Sequence, residues 1–327
     1  MEANSSSGPA SSTSAVPGPP PLAALNAALY ERTQILVGDE GIRRLQSANI
    51  FLAGCGGVGG HCAEALVRAG VGRITLCDHD VVSSTNKNRQ LIALDSTVGK
   101  SKVLELCKRL EDISSLCQVT VLDAFLMPED MVDILQRQRY DVLADCIDSV
   151  ECKVSLLETA VKVGLKVFSS CGAGGRLDPL QVSIGDLYDT ENDGLARACR
   201  GELRKRGIGP GNITVVHSKE LPLPPLEPQR QDSGGRDRAI NGTISYMPPL
   251  FGLMLSSAIV RCLVDPANAE KQSKKRLRDA EKKEQQRQKL AHGGSASTTQ
   301  AEAAAKNQAP EADPPAAAHD NATEVVE

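Results

Sequence analysis

The 327-residue chain has no tryptophan and only four tyrosines and four phenylalanines. Aromatics this scarce argue against reading single-stranded RNA by stacking its bases on aromatic platforms. Ten cysteines are present, yet no two are spaced as CxxC. Zinc ribbons and dithiol redox sites need that spacing, so neither structural zinc nor thiol–disulfide chemistry is indicated. Reduced, buried thiols are the expected state. A formal net charge of -4 excludes the global basic field of a nucleic-acid coat protein. No apolar run reaches the ~20 residues that span a bilayer. The best candidate, 248–265, contains Arg261 and ends at Asp265. It reads as a buried core helix, and no transmembrane segment is expected. Residues 1–20 are mainly Ser, Pro, Ala and Gly, with one acid and no base. That composition suits neither a secretory signal nor a mitochondrial presequence. Cytoplasmic residence is the expectation, with mitochondrial association kept open.

What is present is an α/β pattern. From Leu22 to Asp265, short apolar runs alternate with helical periodicity. Strands are expected at 49–54, 73–78, 118–123, 140–148 and 166–171. Helices are expected at 58–70, 99–113, 128–139 and 151–164, the last ending at Gly164 as a C-cap. Right-handed crossovers between such units give a doubly wound, Rossmann-like and largely parallel sheet. Residues 1–21 are expected to be disordered. The Pro-, Gln- and Gly-rich stretch within 218–245 is expected as an irregular crossover loop. Residues 270–289 carry nine Lys/Arg against four Asp/Glu. A basic polar helix over 266–291 is expected there, followed by a disordered low-complexity tail at 292–327.

Gly54-Cys55-Gly56-Gly57-Val58-Gly59 fits GxGxxG between a strand and a helix. The first glycine permits the tight turn, the second lets backbone approach a phosphate, and the third allows close helix–strand packing. Asp78 ends the next strand, where an acid can accept hydrogen bonds from a ribose. This much does not choose between NAD, FAD and ATP. The following loop adds Asp80, Asn86, Arg89 and Gln90. Lys100 and Lys102 open the next helix, and Asp148 with Ser149 follows a later strand. Cations for a triphosphate and an extra acid for Mg²⁺ fit ATP better than a dinucleotide.

The motifs GCGGVGG, LCDHDVVSSTNKNRQ, VGKSKV and DCIDS occur in that order. The chain thereby resembles, over about 30–185, the ThiF/MoeB superfamily, whose adenylation core is shared with ubiquitin-activating enzymes. The resemblance implies nucleotide cradling by Gly54, Gly56, Gly57 and Gly59, and ribose binding by Asp78. It implies phosphate contacts from Asn86, Arg89 and Lys102, and Mg²⁺ at Asp148. Arg32 falls where family members keep an arginine that reaches the partner subunit's ATP, which implies a homodimer. Gly172–Pro179 and the helix DGLARACRGELRKRG resemble the TcdA-like tRNA threonylcarbamoyladenosine dehydratases, which use ATP to cyclise a modified adenosine beside the anticodon.

The resemblance implies an ATP-dependent adenylating ligase/cyclase with modified tRNA as its substrate. Arg200, Arg204, Lys205 and Arg206 cluster on one segment and are the expected phosphate contacts, with the basic stretch at 271–289 as a second. Cys199 is the nearest residue to a thioester cysteine and reads as a partly buried helix residue. Two rival readings stand. One is an activating enzyme for a ubiquitin-like or sulfur-carrier protein. The other is an NAD-binding dehydrogenase or a non-catalytic nucleotide-binding scaffold.

Overall fold

The structure is a computed structural model that describes residues 22–229 and 238–266, with isolated positions at 275, 278, 282, 285 and 286. The expectations for 1–21 and 292–327 lie outside the described residues. So does most of 266–291, of which Lys275, Arg278 and Lys282 are helical and exposed.

Nine strands and seven α-helices follow one another among the described residues. They are α1 (Leu22–Ser47), β1 (Asn49–Ala53), α2 (Gly59–Ala69), β2 (Arg73–Cys77), α3 (Lys102–Ile113), β3 (Gln118–Leu122), α4 (Met131–Gln136), β4 (Val142–Asp145), α5 (Val150–Lys162), β5 (Lys166–Ser170), β6 (Val182–Asp186), α6 (Gly194–Lys205), β7 (Ile213–Ser218), β8 (Leu226–Gln229), β9 (Arg238–Ile240) and α7 (Met247–Val264). The main sheet has the order β3-β2-β1-β4-β5-β7-β6. Every neighbouring pair is parallel except β6 with β7. This is the expected doubly wound sheet, and its order reverses between β1 and β4.

Strand alternation divides the core into two layers. Ile50, Leu52, Ile74, Leu76, Val142 and Ala144 face one side and pack with Leu66 of α2, Leu106 of α3 and Phe251 of α7. Phe51, Ala53, Cys77, Leu143 and Val167 face the other and pack with Met131 of α4, Leu156 of α5 and Leu203 of α6. The period of two along each strand produces both faces.

Two regions differ from the sequence reading. No strand is expected at 182–186 or 213–218, yet β6 and β7 extend the sheet there. Their signal is weak, because β6 is short and His217 of β7 stands in the register of Ile213 and Val215 where an apolar residue would be expected. The crossover region is not wholly irregular either: β8 and β9 pair as a small antiparallel sheet of their own. The proline-rich sequence hides this, since proline lowers strand propensity without forbidding an isolated two-stranded sheet. Helix α7 is the described helix long and apolar enough to cross a membrane, with mean hydropathy 1.6. Met247, Phe251, Leu255 and Ile259 are nevertheless fully buried. A β-carbon on Gly252 would meet the Val58 carbonyl at 2.3 Å. This close contact at the start of α2 marks it as a core helix, as expected.

His217 of β7 is 4% exposed and opposes Ser183 across the antiparallel pair. Its Nε2 lies 3.3 Å from Ser183 Oγ, and its Nδ1 has no partner among the described residues. Burial is the largest influence on its pKa and holds it below the usual 6.5, opposed by Asp193 and Glu191 and assisted by Lys219 and Arg176. A depressed folded pKa means that the unfolded chain binds more protons. This contribution is present above pH 6.5 and is lost as pH falls below it. Thermal melts between about pH 7.5 and pH 5 should therefore show a smaller loss of Tm for His217→Gln than for the parent. Equal losses would remove His217 as the cause.

Candidate functional site

The C-terminal edge of the sheet forms a cleft where the strand order reverses. Open α/β sheets bind ligands at this point, because the connections diverge to opposite faces and leave a crevice. The cleft is lined by Gly54, Gly56, Cys77, Asp78, His79, Asp80, Ala124–Leu126, Cys146–Ser149 and Cys152. Six expected site residues therefore meet there: Gly54, Gly56, Asp78, Asp80, Asp148 and Ser149.

The glycine loop is shaped by contacts that side chains would obstruct. Gly54 has φ 90°, in the left-handed region, and a β-carbon there would meet the Cys146 carbonyl oxygen at 2.8 Å. On Gly59 it would fall 1.7 Å from Gly54 O. Asp78 holds the same loop from the next strand. Its Oδ2 accepts from Cys55 N at 2.6 Å and its Oδ1 from Asp80 N at 2.9 Å. Thus Asp78 is an organiser of the cradle as well as a lining residue.

The expected cations sit behind this wall. Lys102, 6% exposed at the start of α3, donates to Asp80 Oδ2 at 2.7 Å. Asn86 Oδ1 accepts from Ser83 N at 3.1 Å in a capping box. Arg89 donates to Thr85 O at 3.1 Å and Asn88 Oδ1 at 2.8 Å. In this arrangement Asn86, Arg89 and Lys102 brace the loop and do not line the cleft. Gly57 packs against Pro248 and Arg89. Gln90 lies beside Gly56, and its buried Oε1 has no partner among the described residues. Arg32 is exposed on α1 and does not line this chain's cleft.

Asp148 is exposed and carries no protein hydrogen bond or ion pair among the described residues. It is a hard oxygen donor with its charge unspent, which fits a divalent cation. Asp78, His79 and Asp80 bring ligand atoms within 4.8 Å of one another at the same cleft.

Sequence reasoning misses two buried ion pairs. Asp145, at 0% exposure, meets Lys153, at 2%, at 2.6 Å. Burial lowers the Lys153 pKa, but Asp145 together with Cys199 and Cys171 outweighs it and raises the value. Arg176 pairs with Asp193 at 3.1 Å and donates to the carbonyls of Gly172, Asn192, Ser218 and Glu220. Asp193 also caps α6 through Ala196 N at 2.8 Å. The available signal was a charge inside an apolar strand (VLAD) and another inside an apolar helix (CKVSLL).

The basic cluster is mostly committed to the fold. Arg200 donates to the carbonyls of Leu187 and Thr190 and to Thr190 Oγ1. Arg204 lies over the Tyr188 ring at 5.4 Å. Lys205 pairs with Glu202 and Arg206 with Glu158, each at 2.8 Å. The expectation of four free phosphate contacts is therefore revised: Arg200 is a structural residue, and the other three have partners in the chain. Cys199 has no exposed surface, and burial is the main cause that pushes its thiol up to about 11. The geometry gives it no access to a substrate.

The profile of the ThiF family matches residues 30–301. The tRNA threonylcarbamoyladenosine dehydratase of Bacillus subtilis is 34% identical over 241 residues, covering 72% of this chain and 94% of that protein. The tRNA threonylcarbamoyladenosine dehydratase 2 of Saccharomyces cerevisiae is 33% identical, covering 74% of this chain and 58% of that protein. The crystal structure of the Escherichia coli tRNA N6-threonylcarbamoyladenosine dehydratase TcdA in complex with ATP superimposes with a TM-score of 0.66 at 31% identity. That match covers 74% of this chain and 96% of that one.

Two substitutions separate site from scaffold. Asp148→Ala should keep Tm within about 2 °C of the parent, since it removes no packing or protein bond. It should weaken Mg²⁺-dependent nucleotide binding about tenfold or more, measured by calorimetry. Arg200→Ala should instead cost about 1–3 kcal/mol of folding stability in urea titrations, through unpaired buried acceptors.

Proposed function

Because the chain belongs to the ThiF family, we propose that it is an ATP-dependent tRNA threonylcarbamoyladenosine dehydratase. The observation that carries this is the cradle: a glycine loop closed by Asp78, facing Asp148 across the strand-order reversal. It is supported by likeness to the B. subtilis dehydratase over 94% of that protein's length and to the ATP-bound E. coli structure.

The substrate class carries a free carboxylate on its threonyl group. Hydroxide is a poor leaving group, so direct ring closure is slow. A carboxylate oxygen attacks the α-phosphorus of ATP and pyrophosphate leaves, which gives an acyl adenylate. A nucleophile of the same modified base then attacks the acyl carbon and AMP departs. The tRNA has lost the elements of water. Backbone N–H groups of the glycine loop and the start of α2 would favour negative charge on the phosphates. Lys102, paired with Asp80, and Arg89 would supply positive charge after rearrangement of their present hydrogen bonds. Mg²⁺ bound at Asp148 would neutralise charge on the phosphates. The second step is intramolecular, so positioning supplies much of its rate. It requires no enzyme thiol, in accord with the buried Cys199.

In this reading Arg32 serves the cleft of a second copy in a homodimer, consistent with its exposure on α1. The protein works in the cytoplasm, and tRNA is its macromolecular partner. The same cleft could adenylate the C-terminal carboxylate of a ubiquitin-like or sulfur-carrier protein, but the identity with the dehydratases along most of the folded chain favours tRNA.

Mass spectrometry of nucleosides from tRNA of cells lacking this protein tests the proposal. Loss of the cyclic form, restored by the parent gene and by Cys199→Ser, is the expected result. An unchanged cyclic form would end the dehydratase reading. A thioester trapped on Cys199 would instead favour carrier-protein activation.

A further inference from the structure

We propose that the buried Asp145–Lys153 pair is a positioning device that aims Asp148 at the metal–triphosphate. The geometry centres on Ile147, the residue between the pair and Asp148. Asp145 Oδ1 accepts from Ile147 N at 3.1 Å, and Lys153 Nζ donates to Ile147 O at 2.9 Å. Both backbone polar groups of one residue are thus held by the two members of one ion pair. Ser169 Oγ of β5 donates to Asp145 Oδ2 at 2.7 Å and fixes the carboxylate from the neighbouring strand. Cys146 N bonds to Ala53 O at 2.8 Å, so the segment is tied to β1 as well.

This grip reaches both walls of the cleft. The Cys146–Ile147 peptide is the surface on which Gly54 turns: a β-carbon on Gly54 would meet Cys146 O at 2.8 Å and Ile147 N at 3.3 Å. Asp148, the next residue, enters the cleft with no protein partner of its own among the described residues. An unpartnered exposed carboxylate takes its direction from its backbone, and here that backbone is clamped from below.

A simpler role in packing would not need charge. A buried ion pair gains little over well-packed apolar groups of similar volume, whereas losing one partner is strongly destabilising. Replacing both members by apolar residues therefore separates holding the fold from aiming Asp148. The inference rests on the adenylation reading only in taking Mg²⁺ and ATP as ligands.

The experiment measures AMP and ATP binding to the full chain by calorimetry, with and without Mg²⁺. It compares the parent, Asp145→Leu/Lys153→Met, Ser169→Ala and Lys153→Arg. In the parent, Mg²⁺ should strengthen ATP binding. The double substitution should remove roughly tenfold of that strengthening and leave AMP affinity within about twofold. Ser169→Ala, which keeps both charges, should show a smaller loss in the same direction, and Lys153→Arg should restore most of it. With Asp148→Ala already present, the double substitution should remove nothing more. If the double variant does not fold, Ser169→Ala decides by the same comparison. Unchanged Mg²⁺ dependence in the folded variants, or equal losses of AMP and ATP binding, would overturn this inference alone. Failure of the parent to bind either nucleotide would overturn the adenylation reading and this inference with it.

Discussion

A β-carbon on Gly59 would lie 1.7 Å from the carbonyl oxygen of Gly54. That contact sets the distance between the end of β1 and the start of α2, and the rest of the site is built on it. The close approach brings the tight turn after β1 against the start of α2, outside the strand ends. A helix start and a tight turn can then share one anion. Asp78 completes the arrangement by tying Cys55 N to β2. The fold brings a third strand end, that of β4, opposite this turn because the sheet reverses its order there. Close packing, a carboxylate clasp and the crossover rule thus converge on one crevice.

Charge in this half of the molecule is used mainly to hold backbone. Asp145 with Lys153, and Arg176 with Asp193, are each nearly inaccessible. Each pair binds loops that leave the C-terminal ends of strands: 146–148 after β4, 172–176 after β5, and 218–220 after β7. Loops at this edge are where ligands meet the sheet, and loops left to solvent would be mobile. Buried ion pairs contribute little net stability. Here their value lies in direction, since a fixed charge satisfies several backbone groups at once and permits one loop geometry.

Much of this was legible in the sequence. The parallel strands at 49–53, 73–77, 118–122, 142–145 and 166–170 announce themselves as apolar runs followed by helical periodicity. Gly54, Gly56, Asp78, Asp80 and Asp148 could be placed because glycine spacing and strand-end acids have a direct physical meaning. Strands β6 and β7 were less visible, because β7 buries the polar His217 where an apolar residue would signal a strand. Arg200 illustrates a different limit. Its spacing from Arg204 suggested a shared cationic face, yet a guanidinium has five donors and can be taken by carbonyls of a loop distant on the helix axis. Spacing shows which residues can share a face. It does not show which acceptors reach that face from another element.

The same distinction bears on how a dehydratase of this family would hold RNA. Aromatics are few, and Arg200, Arg204, Lys205 and Arg206 have partners within the chain, whereas Arg197 on the same helix is exposed. In the proposed reading, a tRNA would be held by contacts distributed over its backbone together with its carboxylate at the cleft. Such a division suits the chemistry. The adenylation site needs only one atom group in register, and ring closure within the modified base needs no further enzyme group. The intramolecular step takes its advantage from proximity already built into the substrate. In the proposed reaction the protein's main task is to make a poor leaving group into a good one, and a glycine loop beside an exposed Asp148 suits that task.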